Sequence, residues 1–277
     1  MAVDQHYENF PVASFLVPRA IRPHVVAIYR FARQADDVAD EGDADTESRL
    51  SQLAQLRRDV EALFLNQPAD APTVQMLTPI RDAAIVGITA EPFLDLLSAF
   101  SQDVRTRRYE RYSALEDYCR RSANPVGRLM LALYGVRDAA SMAASDRICT
   151  SLQLINFWQD AAIDASRGRI YVPQEDFAKF NVSDESFPRH PQHQALMRFQ
   201  CERARALMLA GAPLLTTLCG RLRFEIAFTM AGGLRILEKI ESNDFDVRIR
   251  PNLRWYDSLQ LLFLALRLLL SSGRLPT

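Results

Sequence analysis

The spacing of apolar residues is the feature that most limits how this chain can fold. Between its prolines, the 277-residue sequence places apolar side chains at helical intervals, not in the alternating pattern of strands, and only 10 glycines interrupt it. The pattern predicts an all-α fold in a single domain over residues 1–277. The loop at 172–191 is the one weak candidate for a domain boundary.

This periodicity predicts about nine helices. They are expected near residues 20–41, 46–65, 74–87, 91–104, 113–133, 139–165, 191–219, 221–242 and 254–271. Asp45-Thr46-Glu47 has the capping and acidic groups of a helix start. A short extended segment is expected over Gly168 to Pro173, which precedes a proline-containing loop.

Composition and charge exclude several classes of protein. With 33 basic and 34 acidic side chains and no nucleic-acid-binding motif, the chain is not expected to bind nucleic acid. The four cysteines form no CxxC pair, which argues against a zinc knuckle and indicates a reducing, cytoplasmic location. The N-terminus lacks a secretory pattern, so export is not expected, and the longest apolar stretch, Leu261 to Leu270, is too short to span a bilayer.

A first acidic segment combines a tyrosine, a cation and three carboxylates on one face of a predicted helix. Tyr29, Arg33, Asp36, Asp37 and Asp40 fall at i, i+4, i+7, i+8 and i+11. The like charges of Asp36 and Asp40 should destabilise an isolated helix by a few tenths of a kcal/mol. A bound cation would offset that cost, whereas the alternative interpretation is a solvated acidic helix end.

A second acidic segment repeats the arrangement far along the chain. Asn156, Asp160 and Asp164 fall at i, i+4 and i+8, and Gln153 lies on the same stripe. The flanking residues are apolar, so this helix is expected to be buried nearly all round, with its carboxylates facing an interior cavity. Buried carboxylates require a metal, a basic partner or a raised pKa. A solvated helix end is again the alternative.

Magnesium is the metal that these residue types favour. It takes oxygen ligands and usually binds through one or two carboxylates together with substrate phosphates and water. The two segments therefore predict a diphosphate held by Mg²⁺ between them. The predicted metal ligands are Asp36, Asp37, Asp40, Asp160 and Asp164.

These residues resemble the trans-isoprenyl head-to-head synthase family, which contains squalene, phytoene and dehydrosqualene synthases. The family has a first DxxxD segment preceded by Tyr and Arg, and a second followed here by Arg169-Ile-Tyr171. His6-Tyr-Glu-Asn9-Phe10 resembles the family's substrate-lining start, and Tyr118-Cys119 resembles its tyrosine segment. The resemblance implies an isoprenoid synthase fold, a helical bundle around a central cavity, with Mg²⁺ as cofactor and an isoprenoid diphosphate as substrate.

Three sequence segments more closely resemble the hydroxysqualene synthase branch of the bacterial hopanoid pathway. They are His6-Tyr-Glu-Asn-Phe-Pro-Val-Ala-Ser, Asn124-Pro-Val-Gly-Arg and Ala231-Gly-Gly-Leu-Arg-Ile-Leu-Glu-Lys-Ile. That branch removes diphosphate from presqualene diphosphate and lets water capture the rearranged cation, without nicotinamide. The chain departs from the wider family at Gln159, where many members have Arg, and at Ala123-Asn124-Pro125, where they read Val-Ala-Gly. Pro125 is expected to kink its helix.

The resemblance and the residue chemistry together assign roles. The five aspartates and Tyr118 are the predicted catalytic residues, with Tyr118 orienting groups or shuttling a proton. Arg33 and Arg169 are expected to hydrogen-bond the leaving diphosphate. The predicted substrate-binding residues are His6, Asn9, Phe10, Tyr29, Arg33, Asn124, Gln153, Asn156, Arg169 and Tyr171.

Two of these roles have plainer alternatives. Pro125 cannot donate a hydrogen bond to the Arg121 carbonyl, so that carbonyl and the Asn124 side chain would position the water that captures the cation. The alternative is that Asn124-Pro125 merely bends a helix to fit the core. The rings of Phe10, Tyr29, Phe157, Trp158 and Tyr171 would stabilise a carbocation, or each is ordinary core packing.

Alternatives also remain for the whole chain. It could make presqualene diphosphate, squalene or a phytoene-like or dehydrosqualene product, or it could be a non-catalytic helical lipid-binding protein. The segment 257–271 carries Asp257, Gln260, Arg267 and Ser271 on a narrow polar stripe. It is expected to be a core helix or to lie on the inner face of the membrane. Association with other enzymes of the pathway is a further expected partnership.

Overall fold

The computed structural model of the protein describes residues 17–68, 71–85, 87–183, 187 and 192–270. Its helices are α1 (Arg22–Asp40), α2 (Thr46–Phe64), α3 (Pro72–Gln75), α4 (Thr78–Asp82), α5 (Glu91–Asp103), α6 (Tyr112–Ser122), α7 (Asn124–Leu133), α8 (Ala139–Gln159), α9 (Ala161–Ser166), α10 (Gln174–Lys179), α11 (His193–Gly211), α12 (Leu214–Thr217), α13 (Gly220–Ser242) and α14 (Ser258–Leu270). A 3-10 turn, Trp255–Asp257, precedes α14. The prediction of an all-α fold is confirmed, and that of one domain stays a prediction.

Local sequence explains where the long helices begin. The side chain of Asp45 accepts a hydrogen bond from the Ser48 backbone amide at 2.7 Å, which caps α2 as the sequence predicts. Asp138 caps α8 in the same way through the Ser141 amide at 2.8 Å. α1 carries a proline in its first turn, where a missing amide hydrogen costs nothing.

Several predicted helices are divided in the structure, and proline explains most of the divisions. The helix expected at 113–133 is α6 and α7, because Pro125 occupies the first turn of a new helix instead of kinking a continuous one. The helix expected near 74–87 is likewise α3 and α4, with Pro79 in the first turn of α4. Pro213 begins α12 after α11. α10 forms inside the segment expected to be a loop.

α8 is the central helix of the fold. It packs against α6, α7, α11 and α13, and most extensively against α11. Gly211 permits the close approach of α11, since a Cβ atom there would lie 2.5 Å from Ile148 Cγ1 and 2.8 Å from the Ala144 carbonyl oxygen. A glycine is therefore required where these two helices meet.

The buried apolar residues form two hydrophobic clusters. One joins α1, α2, α4, α5 and part of α7 and includes Phe31, Val60 and Phe93. The other joins α6, α8, α11, α13 and α14 and includes Leu154, Trp158 and Leu237. Both clusters draw residues from α7, which lies between them.

The expected extended segment is confirmed as a short backbone bridge. Ile170 pairs in parallel with Arg108, and its amide donates to the Arg107 carbonyl at 3.1 Å. Among the described residues this is an isolated bridge and belongs to no named strand. It fixes Arg169 and Tyr171 beside the chain that leaves the end of α5.

The contact of α8 with α11 leads to a stability prediction. Gly211→Ala should lower the free energy of unfolding by roughly 1–3 kcal/mol, because the backbone carbonyl of Ala144 has little freedom to move away. Gly232→Ala is the matched control, since its Cβ would meet only Leu253 at 3.8 Å, and it should be neutral or stabilising by up to about 1 kcal/mol. Denaturant unfolding measures both, and equal midpoints would contradict the close approach.

Candidate active site

A cavity of about 490 Å³ runs between the two hydrophobic clusters and has an acidic mouth. Its walls are mainly apolar and come from α1, α5, α6, α7, α8, α12 and α13. The apolar lining includes Val25, Ile28, Phe100, Val126, Met130, Leu131, Ile148, Leu152, Leu214, Leu222 and Ile226. The charged lining residues are Arg33, Asp36, Asp160 and Arg250, and they gather where α1 and α8 end.

The first acidic segment occupies the last turns of α1. Arg33 pairs with Asp37 at 2.9 Å, with Glu41 at 2.7 Å and more distantly with Asp36 at 3.7 Å. The Asp36 side chain is 41% exposed, so it faces the open end of the cavity. Tyr29 lies one turn deeper than Arg33 and also lines the wall.

The second acidic segment lies at the junction of α8 and α9. Asp160 ends α8 and precedes α9, and Gln153 and Asn156 line the cavity at positions further from the mouth. The expectation that this helix is buried nearly all round is wrong at its end, because Ile163 is 38% exposed and the Asp160 side chain 31%. The division at Asp160 leaves its carboxylate partly in solvent at the mouth, where the desolvation penalty is smaller than in a closed interior.

The two acidic segments converge through an arginine. Arg169, which follows α9, donates to both carboxylate oxygens of Asp40 at 2.6 and 3.0 Å. The pKa of Asp164 is raised to about 6, mainly by burial and also by the nearby charge of Asp160, while Arg169 opposes the shift. Asp40, Asp160, Asp164 and Arg169 therefore share one electrostatic environment.

Arg250 completes the set of basic side chains and was not predicted from the sequence. It lies in the segment after α13 and forms a forked pair with Asp160, the longer contact being 3.2 Å. The Gln159 side chain donates to the Pro251 carbonyl at 2.7 Å, which ties this segment to the end of α8. Gln159, which departs from the family pattern, thus positions Arg250 from a distant part of the chain.

The donor set suits magnesium without forming a complete metal cage. Within the part of the chain that the structure describes, no group of three or more His, Cys, Asp or Glu residues is arranged to hold a metal ion. Magnesium usually needs only one or two carboxylates when phosphate oxygens supply further ligands, so such a cage is not required before substrate binds. Asp164 forms no ion pair with a described basic side chain, and its pKa is raised first by burial and then by the negative charge of Asp160, which a cation would compensate.

Tyr118 belongs to a buried hydrogen-bonded pair that the sequence did not reveal. Its hydroxyl donates to Asp103 Oδ2 at 2.5 Å, and both side chains are almost fully buried. Burial raises the pKa of Asp103 to about 7, against the lowering effect of this hydrogen bond and of Arg169. Arg169 also approaches the Asp103 carbonyl at 3.4 Å, so the pair adjoins the acidic mouth. An acidic residue at a helix end gives no sequence signal for this role.

The aromatic residues divide between the cavity and the core. Tyr118 and Tyr29 line the cavity. Tyr171 stacks on Phe157 with ring centroids 3.7 Å apart, and both rings lie near Tyr118, 6.3 and 6.1 Å from it. Trp158 is fully buried in the hydrophobic cluster around α8, which agrees with its plainer interpretation as core packing.

Asn124 does not belong to the described lining of the cavity. It is buried in the first turn of α7, and its amide oxygen accepts a hydrogen bond from Thr150 at 3.0 Å. Its neighbours Ala123 and Val126 line the cavity, whereas Asn124 borders a separate groove that includes Arg128 and Asp146. Asn124 therefore joins α7 to α8 outside the described lining, and its role in substrate binding stays a prediction. His6, Asn9 and Phe10 lie outside the described residues.

The chain is similar in sequence to known proteins. A family model described as squalene/phytoene synthase matches residues 3–257. A hydroxysqualene synthase of Zymomonas mobilis is 42% identical over 171 residues, 61% of this chain and 55% of that protein. A hydroxysqualene synthase of Sinorhizobium fredii is 33% identical over 244 residues, 86% of this chain and 80% of that protein. A presqualene diphosphate synthase of the same organism is 32% identical over 179 residues, 64% of this chain and 62% of that protein.

Solved structures are also similar to this chain. A squalene synthase of Alicyclobacillus acidocaldarius matches with a TM-score of 0.79 and 34% identity, covering 87% of this chain and 90% of that one. A dehydrosqualene synthase crystallised with a ligand matches with a TM-score of 0.78 and 24% identity, covering 92% and 89%. The second likeness shows the shared fold alone.

The buried Asp103 predicts a pH dependence of stability. Its folded pKa of about 7 lies above the ordinary value of 3.8, so the unfolded chain loses its proton first as pH rises. Asp103 should therefore reduce stability between pH 4 and pH 7 by up to about 4 kcal/mol, with little further change above that range. Asp103→Asn should flatten this slope, measured by denaturant unfolding across pH. Asp43→Asn, at an exposed position, is the control, and an unchanged slope in the Asp103 variant would contradict the assignment.

Proposed function

The chain belongs to the squalene/phytoene synthase family, and from that premise we propose that it is a hydroxysqualene synthase. As a member it is an enzyme of isoprenoid biosynthesis that acts on prenyl diphosphates. The proposed reaction ionises presqualene diphosphate, rearranges the cation and adds water, giving hydroxysqualene and diphosphate. The non-catalytic alternative, a helical lipid-binding protein, is set aside because the family consists of enzymes.

The convergence of the two acidic segments at one end of an apolar cavity is the observation that carries the proposal. Asp36 and Asp160 both line that end, and the Arg169 pair with Asp40 joins the segments. A diphosphate is compact and highly charged, whereas the rest of the substrate is hydrocarbon. A cavity with a charged mouth and apolar walls separates these two parts of one molecule.

Arginines at the mouth would bind and orient the diphosphate. Arg33, Arg169 and Arg250 now pair with Asp37, Asp40 and Asp160 respectively. Guanidinium groups suit forked contacts to phosphate oxygens, and all three side chains are partly exposed at the mouth. Mg²⁺ held by Asp36, Asp37, Asp40, Asp160 and Asp164 would supply Lewis-acid stabilisation of the leaving group. With the carboxylates so occupied, the arginines become available to the diphosphate.

The cavity walls would protect the cation until water captures it. The apolar lining excludes bulk water, and the ring faces of Tyr29 and Tyr118 stabilise positive charge by about 0.5–2 kcal/mol each. Burial keeps the pKa of the Tyr118 hydroxyl well above neutral, so it stays protonated and donates to Asp103. Since Asn124 lies outside the described lining, Gln153 and Asn156, which line the cavity further from the mouth, are polar side chains of α8 that could hold the water that captures the cation.

Other reactions of the family are the second candidate function. The similarity to a presqualene diphosphate synthase, to phytoene synthases and to a squalene synthase leaves presqualene diphosphate, phytoene and squalene as alternative products, and dehydrosqualene stays an alternative from the family resemblance. The relatives from Zymomonas mobilis and Sinorhizobium fredii that are named hydroxysqualene synthases favour the hydration reaction. The single-domain organisation, the hopanoid pathway and association with other enzymes of that pathway belong to the same proposal.

The proposal is tested by product analysis with purified protein. Presqualene diphosphate with Mg²⁺ should give hydroxysqualene and free diphosphate without NADPH, and removal of Mg²⁺ by a chelator should stop both. Mass analysis of the lipid identifies the product. Formation of presqualene diphosphate from farnesyl diphosphate, with no conversion of presqualene diphosphate itself, would contradict the assignment in favour of an earlier reaction.

Two substitutions test the acidic mouth directly. Asp36→Asn and Asp160→Asn should each lower diphosphate release by at least about 100-fold, because each removes a charged oxygen ligand while leaving the side-chain shape intact. Asp43→Asn, close to the first segment in sequence but exposed, should retain full activity. Activity of either mouth variant within a fewfold of the unsubstituted protein would exclude the proposed role.

A further inference from the structure

An exposed apolar stripe runs along α14 and the turn before it. Its members fall at i, i+4, i+7, i+8, i+11 and i+15, which places them on one face of a helix. Trp255 is 87% exposed and Phe263 70%. The complete stripe is Trp255, Leu259, Leu262, Phe263, Leu266 and Leu270. At 1.5 Å per residue it is about 22 Å long, which exceeds what isolated surface hydrophobics would form.

The opposite face fixes α14 firmly to α13. Ala265 and Leu268 are fully buried, and Arg223 of α13 donates to the Leu269 carbonyl at 2.9 Å. Asp257, which belongs to the predicted narrow polar stripe, is fully buried and pairs with Lys239 at 2.7 Å and Arg235 at 3.0 Å. The exposed stripe therefore belongs to a well-packed helix and does not result from a loosely attached one.

The charges that accompany the stripe are basic. Arg254 and Arg267 are exposed, and they are the charged side chains of residues 254–270 apart from the buried Asp257. On α13, Arg221 is exposed, and so are Phe224 and Phe228, which follow it closely in sequence. Glu225, which lies between the two phenylalanines in sequence, is buried. An apolar helix face with Trp and Phe, flanked by arginines, is the pattern of a helix that lies in a membrane interface.

These charges argue against a second copy of the chain as the occupant. A two-fold interface presents the same surface from each partner, so two such faces would bring Arg254 and Arg267 of both copies together without an exposed acidic partner on α14. Lipid phosphates and anionic headgroups, in contrast, complement the arginines while the acyl chains accept the apolar stripe. No described helix is long and apolar enough to cross a bilayer, so the helix would lie on the surface.

We propose that α14 docks this chain onto an anionic lipid bilayer, with the apolar stripe in the interface and Arg254 and Arg267 on the headgroups. The cavity lies one helix away, because Leu222, Ile226 and Thr229 of α13 line it from another face of that helix. Docking would hold the cavity wall close to the bilayer. The inference depends on the surface of α14 and stands whether the proposed reaction is correct or not.

Tryptophan fluorescence gives a direct test with the full-length protein. The chain has two tryptophans, of which Trp158 is fully buried and Trp255 is exposed. Adding vesicles of phosphatidylcholine with phosphatidylglycerol should shift the emission to shorter wavelength, and Trp255→Phe should abolish the shift. Vesicles of phosphatidylcholine alone should produce a much weaker response, because the arginines then lose their anionic partners.

Co-sedimentation with the same vesicles tests the surface residue by residue. The double variants Phe263→Ser with Leu266→Ser, and Arg254→Glu with Arg267→Glu, should each bind at least about tenfold more weakly. Leu65→Ser is the matched control, because Leu65 follows the last residue of α2 and is 68% exposed, and this variant should bind normally. Circular dichroism and turnover of detergent-dispersed substrate should be unchanged in all three.

Three outcomes would overturn the proposal. The first is vesicle binding that neither double variant weakens, and the second is no binding by the unsubstituted protein. The third is concentration-dependent dimerisation without lipid that Phe263→Ser with Leu266→Ser abolishes, since this would identify a second copy as the occupant.

Discussion

Charge compensation at the mouth of the cavity is the constraint on which the site depends. α1 and α8 both end there, so the negative ends of two helix dipoles add to the charge of the aspartates. Arg33, Arg169 and Arg250 offset this charge through their ion pairs with Asp37, Asp40 and Asp160. The same concentration of negative potential favours divalent cations. The fold therefore has a mouth that is stable when paired with arginine and is suited to exchange those partners for Mg²⁺ and a diphosphate.

The helices and the acidic segments could be predicted because their signals are local. Capping by Asp45 and the stripe from Tyr29 to Asp40 depend on residues within a few turns of one another. The divisions at Pro79 and Pro125 were harder, because a proline can kink a helix or begin one, and the choice depends on tertiary packing. At Asp160 no proline marks the division, and no local pattern predicts a carboxylate that is partly exposed to solvent.

The partners of the site residues could not be predicted from the sequence, because these contacts join residues that are far apart in the chain. Arg250 pairs with Asp160, which is 90 residues earlier in the chain. The hydrogen bond from Gln159 to Pro251 positions Arg250, and no periodic pattern in the sequence predicts this contact. Asp103 ends an amphipathic helix, where an acidic residue is ordinarily solvated, and only its position beneath Tyr118 makes it a buried acid. Asn124 also shows this limit, since its sequence context does not reveal that its side chain accepts a hydrogen bond from Thr150 and is not part of the described cavity lining.

The position of the cavity between two hydrophobic clusters has a thermodynamic consequence. Its lining takes Val25 and Phe100 from one cluster and Ile148 and Leu222 from the other, so an occupied cavity adds contacts to both. A bound hydrocarbon acts as shared core between two parts that are otherwise joined largely through α7 and its neighbours. A ligand held in this cavity would therefore couple the local unfolding of one cluster to that of the other.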